Sequence, residues 1–339
     1  MSIASDPGLA AVRFVHEHLR IEPEWSVWEE RGFAWWGGRL AQRVWADRPF
    51  EEDGRTVCCV HAETDFVRSF PRDDAAFSLI GEAAGNAALS GFVRCKDGAL
   101  RLWSGACVHK ENFEWVSKVF SAAAALAARE AEASVDAMGR SLRAAPATSE
   151  HPASGRRAAR HDVVSLVGAL AGGGEPASRW NDQAELAEIG DTITGKAGCF
   201  PSIGPLSLRA EIPFGPHGGY DAPGGLSARL EVSMSARHPE IGSGVLLRIH
   251  LPFRLERHAQ ARLALDLNSL ERTSYLRSHS LGSWCPHPWP GPAYVSFLPI
   301  GLYEKDVLLH LVISMIARAE WIARRYETSE ELRARLSGS

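Results

Sequence analysis

The pattern Cys-x-His occurs three times, as Cys59/His61, Cys107/His109 and Cys285/His287. On a strand, residues i and i+2 share a face, so each pair would present a thiol beside an imidazole. The first two pairs fall on the outer-face parity of their own strands, and side by side they would make a Cys₂His₂ metal set. Their spacing is not that of zinc loops, and no partner that would orient the imidazoles can be read. Small buried cysteines and surface histidines explain the pattern without a ligand. No metal and no cofactor are expected.

Other candidates for chemistry are weaker. Glu63 and Asp65 share a strand face and form an acid pair, which solvated strand charges explain as well. The stretch Gly190 to Gly195-Lys196 has the glycine and lysine spacing of a phosphate loop. Ala197 stands where Ser or Thr should hold magnesium, and Gly198 and Pro201 follow where a helix should begin. His16-Glu17-His18 sits on a short helix, where adjacent residues face different ways. The patterns G-x-S-x-G, H-E-x-x-H and G-x-G-x-x-G do not occur. The chain reads as non-catalytic.

These residues need elements to position them. Apolar Leu9, Val12, Val15 and Leu19 recur at helical spacing over Pro7–Leu19. Phe33–Val44 and Thr56–Phe66 alternate like strands, with a turn at Asp53-Gly54 between them. Asp73–Leu89 is a helix that Asp73 or Asp74 would cap. Phe92–Cys95 and Leu100–Val108 form a hairpin around Asp97-Gly98, and Glu111–Ser134 is a long Ala-rich helix.

The plan then recurs. His161–Leu170 and Gln183–Ile189 are helical, Leu206–Ile212, Leu226–Ala236 and Val245–Leu251 are strands, and Leu255–Leu270 is a helix. Leu281–Cys285 and Ala293–Leu298 are strands, and Glu304–Tyr326 is a last helix, apolar almost all round and therefore buried on several sides. DGRTVCCVHAETDFVR lies beside GSGVLLRIHLPFRLER, and ALRLWSGACVHKENFEWV beside AYVSFLPIGLYEKDVLL. The expected fold is α+β: two similar copies of helix, three strands, helix, two strands, helix, with antiparallel sheets packed as an intramolecular pseudo-dimer. The copies cover residues 1–138 and 162–339. Residues 139–161 carry Arg140, Arg143, Arg156, Arg157 and Arg160 against Glu150 and read as a flexible basic linker.

This order of elements resembles the type III secretion chaperone-like fold, including the bacterial YbjN-like proteins. The resemblance covers nearly all of both halves and is one of topology, without a signature motif. It implies a protein that binds other proteins or serves as an adaptor. The loops Gly215–Gly225 and Pro286–Pro292 depart from a minimal unit.

Parity separates the two faces of each strand. Trp36, Leu40 and Val44 share the expected core face, which leaves Trp35, Arg39, Arg43 and Trp45 on the other. Leu100, Leu102, Ala106 and Val108 look buried, which turns Arg101 and Trp103 outward. Interleaved Trp and Arg is the composition of an interaction hot spot. In the second copy Leu226, Ala228, Leu230, Val232 and Met234 face inward, and the outer face is polar. A partner groove would therefore lie on the first copy, at Trp35, Arg39, Arg43, Trp45, Arg101 and Trp103.

Composition bounds the rest. The chain has 339 residues, 45% of them hydrophobic, beyond what one core normally serves and too apolar for a disordered chain. A net charge of −4 argues against a dedicated nucleic-acid binder. Basic residues are nearly all arginine, as in GC-rich bacterial coding. The polar start Met1–Asp6 and the short apolar run Val307–Ala317 predict no signal peptide and no membrane insertion. The expectation is a cytoplasmic bacterial adaptor or chaperone-like protein that takes a segment of a partner protein, with strand addition to a sheet edge as one mode. The alternatives are a metal-dependent sensor or enzyme built on the Cys/His pairs, and a scaffold subunit of a defence or secretion assembly.

Overall fold

The computed structural model describes residues 5–86, 88–158, 161–162, 182–197, 199–214, 226–239, 241–274, 278–288, 291–304 and 306–330. It is an α+β chain with two antiparallel sheets. Two compact units are present: one built from residues 1–76, 88–173 and 268–281, the other from 77–87, 174–267 and 282–339.

In the first unit the order is α1 (Pro7–His18), β1 (Ser26–Glu29), β2 (Gly32–Trp36), β3 (Ala41–Ala46), β4 (Phe50–Glu52), β5 (Arg55–Val67), then α2 (Asp74–Ala84), β6 (Gly91–Arg94), β7 (Leu100–Val108) and α3 (Phe113–Leu142). The sheet runs β1-β2-β3-β5-β7-β6, with β4 paired to β5 alone. The later elements are α4 (Asp182–Ala197), β8 (Phe200–Gly204), β9 (Ser207–Phe214), β10 (Leu226–His238), β11 (Gly242–His250), α5 (Arg257–Thr273), β12 (Ser283–Cys285), β13 (Ala293–Pro299) and α6 (Val307–Thr328). Their sheet runs β8-β9-β10-β11-β13-β12, the same path strand for strand. Each copy thus opens with four strands along this path, one more than the three predicted. In the first copy Phe33–Val44 and Thr56–Phe66 become four path strands because the former splits into the β2–β3 hairpin and β1 is unpredicted; in the second the unpredicted strand is β8.

Local chemistry sets the element ends. Pro7 opens α1, and the Asp6 carboxylate accepts the Leu9 N–H at 2.9 Å. Asp73 caps α2 through the Ala76 N–H at 2.8 Å. Asp53 and Gly54 both take positive φ, 49° and 73°, which gives the tight β4–β5 turn a backbone that Gly adopts freely. Beneath the first sheet, Ala122 to Ala128 of α3 are continuously buried. Gln42 ties helix to sheet: its amide donates to the Thr64 hydroxyl at 2.7 Å and the Ala124 carbonyl at 2.8 Å.

Residues 139–157 are not a flexible linker. Gly139–Leu142 end α3, and the following chain runs along the first sheet, with Ala147 N–H donating to Phe66 and Ser149 N–H to Arg39. Arg157 is clamped by Glu22 at 2.6 Å and stacks over Trp25. Most of the predicted helix His161–Leu170 and the loop Gly215–Gly225 lie outside the described residues. The phosphate-loop-like stretch Gly190–Lys196 is helix interior, within α4. The strand pairing also shifts the alignment of the copies. His61 faces Gly105 and His250 faces Ala293, so Gly105, rather than Ala99, occupies the place of Ala293. Among the described residues no helix is long and apolar enough to cross a membrane.

Candidate functional site

The hairpin at Gly37-Gly38 decides which tryptophans are available. Phe33–Val44 was expected as one strand, but the chain reverses and pairs Trp35 with Gln42 and Trp36 with Ala41. The parity count therefore restarts after the turn. Trp35 joins Phe33 and Val44 in the core, fully buried, with its indole N–H donating to the Gln42 amide oxygen at 2.8 Å. It is no part of an outer face, which corrects the sequence reading. Arg39 is a clasp: its guanidinium holds Asp136 at 2.8 Å and Glu132 at 3.3 Å, both on α3.

The remaining four predicted residues do share a face. Trp45 lies opposite His61 and next to Arg43, which lies opposite Glu63. Glu63 lies opposite Trp103, and Asp65 opposite Arg101. Arg43 is exposed and Trp45 half-buried, but Trp103 is only 5% exposed. Arg101 is committed to neighbours: Asp65 at 2.9 Å, Asp97 at 2.9 Å and Glu63 at 3.5 Å. Burial pushes the Asp65 carboxyl up, against the pull of that guanidinium. The face is covered by residues 268–274 and 278–281 of the same unit. Arg272 pairs with the buried Glu63, the Ser269 hydroxyl accepts the Arg94 N–H, and Ser280 exchanges two backbone hydrogen bonds with Gly105. Ser280 thus makes an isolated antiparallel bridge to β7 beyond the short β6.

Between cover and sheet an open cavity of about 210 Å³ remains, bordered by Trp45, Asp47, Cys59, His61, Trp103 and Glu271 among others. His61 is sandwiched between indoles, with ring centroids 5.0 Å from Trp45 and 6.1 Å from Trp103, both stacked. The Trp103 Nε1–H donates to His61 Nδ1 at 3.3 Å, so Nε2 carries the proton and donates to Asp47 at 3.1 Å. That hydrogen bond holds the Asp47 carboxyl below the usual carboxylate range. Gly105 leaves room for the stack: a Cβ there would lie 3.0 Å from the Trp103 ring and 3.4 Å from His61 Nδ1.

The thiols sit deeper in the same wall. Cys59 and Cys107 are directly opposite on β5 and β7, with Sγ atoms 3.5 Å apart. Their shared hydrogen bond and burial push the Cys107 thiol well above its ordinary range. Cys58 alternates to the other side and donates to the Asp47 carbonyl; burial raises its thiol to about 12. Two cysteines of the suggested metal set thus meet, but His61 is already satisfied and His109 lies beyond the end of β7. Among the described residues no three of His, Cys, Asp and Glu are grouped to hold a metal ion.

The second unit repeats one part of this arrangement. Arg229 faces His250 as Trp45 faces His61, and Glu231 faces Arg248 much as Asp47 meets Cys59, to whose carbonyl its N–H donates. His250 Nε2 lies 3.5 Å from the Glu231 carboxylate, which also binds Arg229 at 3.0 Å. Burial, with His287 close by, depresses His250 to about 4. Arginines replace the indole and one thiol here, so this outer face is polar, as its alternation predicted.

Asp47, Glu271, Arg272 and the Ser278–Ser280 stretch were not found from sequence. Asp47 carries no local mark, and residues 268–281 have no periodicity that ties them to a sheet so far away in the chain. Compared with family models, with curated proteins and with solved structures, the chain matches none.

Proposed function

We propose that the chain is a non-catalytic adaptor that binds a segment of a partner protein, with the cavity at Trp45 as its recognition pocket. The observation that carries this is the half-buried Trp45 indole beside the Asp47 carboxylate on a small open cavity, with the buried Glu271, which accepts from the Ser280 hydroxyl, in its wall. Arg272, which also borders the cavity, is paired with the buried Glu63. An arginine or lysine side chain suits it: the stem would pack on the indole and the cation would face the Asp47 carboxylate.

The chemistry around the pocket favours binding over catalysis. Both nitrogens of His61 are engaged, so it is not free to serve a thiol as base. The Cys58 and Cys107 thiols are raised, so neither is poised as a fast catalytic nucleophile at neutral pH. Of the expected contact set, Arg43 and Trp45 remain open to a partner. Arg101 and Trp103 support the pocket from within, and Trp35 and Arg39 hold the unit together.

The test is a random peptide library panned on the immobilised full chain at moderate salt. Enrichment of peptides with an Arg or Lys anchor, lost in Trp45→Ala and weakened in Asp47→Asn, supports the reading. Peptides without a basic anchor, or binding indifferent to Trp45→Ala, would sink it.

A further inference from the structure

The opposed thiols on β5 and β7 have a chemistry that peptide binding does not use. Directly paired residues of antiparallel strands have Cα atoms roughly 4.5–5.5 Å apart, inside the span of a disulfide. From 3.5 Å the sulfurs of Cys59 and Cys107 need to approach by about 1.5 Å to bond, a movement χ1 rotation can supply. Both residues line the open cavity, so a small oxidant has a route to them. Cys58 points to the other side of the sheet, with its Sγ on the Asp47 carbonyl at 2.9 Å. The pair is therefore specified by strand register as well as by proximity.

We propose that Cys59 and Cys107 are a reversible dithiol modification site, oxidised by peroxide to a cross-strand disulfide. One thiolate attacks the peroxide, the O–O bond breaks, and a sulfenic acid forms with release of water. The second thiol then attacks that sulfur, the S–O bond breaks, and a second water leaves. In sum two thiols and one hydrogen peroxide give one disulfide and two waters; sulfur loses two electrons and the peroxide gains them. A small thiol reverses the link by exchange. The site stands independently of whichever side chain fills the cavity. A link at this depth would draw β5 and β7 together beneath His61, and so alter the cavity wall.

The test uses the full chain with hydrogen peroxide, followed by alkylation under denaturing conditions and mass spectrometry. The expected product is lighter by two hydrogens, with the peptides holding Cys59 and Cys107 joined, and dithiothreitol restores both thiols. Cys59→Ser and Cys107→Ser each abolish the joined product, while circular dichroism checks that they fold. Because the Cys107 thiol is raised, the link should form faster as pH climbs from 7 to 9, by up to about tenfold per unit. Tryptophan emission should fall as it forms, since two indoles border the thiols. A link between other cysteines, sulfinic or sulfonic acid at both positions without a link, or both thiols left alkylatable after treatment would each overturn the proposal.

Discussion

Asp47, the first residue past β3, and His61 on the neighbouring β5 are joined by a hydrogen bond of 3.1 Å, and Glu231 on β10 and His250 on β11 repeat the relationship in the second sheet at 3.5 Å. The strand pairings around the two couples correspond. The duplicated unit therefore carries an acid–imidazole couple at one fixed place in its sheet. What differs is the surroundings: two indoles and two thiols in one copy, arginines in the other.

Two tryptophans expected on the same face should behave oppositely. Trp35→Ala empties a fully buried site and strands the Gln42 amide oxygen, so it should cost about 3–5 kcal/mol in urea unfolding. Trp45→Ala should cost less than about 2 kcal/mol and reduce basic-peptide affinity at least about tenfold. Equal effects on stability would contradict the parity described for the hairpin.

His250 should make the chain acid-sensitive. Its folded pKa of about 4 lies below the ordinary 6.5, so folding disfavours its proton. Its share of stability is complete above pH 6.5 and is lost progressively as pH falls towards 4. His287 and Arg248 deepen this effect, and Glu231 opposes it. The loss is about 3 kcal/mol at most. His250→Gln should flatten the curve between pH 6.5 and 4, as read from urea midpoints across that range.

Asp47 should act lower on the scale. Its folded pKa is depressed, so its contribution is present above roughly pH 4 and fades as pH falls through the folded value. The carboxylate is 37% exposed, so solvent screens the gain and a modest effect is expected. Asp47→Asn should reduce the slope of stability against pH below 4 without changing it at pH 7 to 8.

Gly105→Ala should disturb the His61 sandwich. The added methyl would meet the Trp103 ring at 3.0 Å, closer than a relaxed contact. The indole must shift, and its hydrogen bond to His61 with it. The cost should be about 1–2 kcal/mol, with a displaced Trp103 Nε1–H resonance in NMR. An unmoved resonance would contradict the stack as described.

Glu63 should anchor the cover. It is 4% exposed and meets both Arg101 and Arg272. Glu63→Ala leaves two guanidinium groups without their shared carboxylate, at about 3 kcal/mol or more. Hydrogen exchange over residues 268–281 should speed up more than elsewhere in the first unit.

Patterns carried by a single strand were readable from sequence. Ala228 to Met234 alternate cleanly, although Leu226 at the strand start is exposed rather than inward, and Asp97-Gly98 specifies its hairpin by turn chemistry. Trp35 was misplaced because Gly37-Gly38 reversed the chain inside what looked like one alternating run. The Asp47–His61 couple was hidden for another reason: which residues face each other across strands depends on register, and register is set by the whole sheet. Residues 268–281 were out of reach because their role depends on contacts some 170 residues away, as from Arg94 to Ser269.

The sharing of segments has a consequence for how this protein can be divided, in the laboratory or in evolution. Residues 268–281 complete the first unit, and residues 77–87 complete the second. No single cut in the polypeptide yields two finished halves. A fragment ending at residue 173 would keep its helices and strands but lose Arg272 from Glu63 and Ser280 from Gly105, laying Trp103 and Cys107 open to water. The two units are interleaved in sequence: each is completed by a stretch of chain that lies within the span of the other.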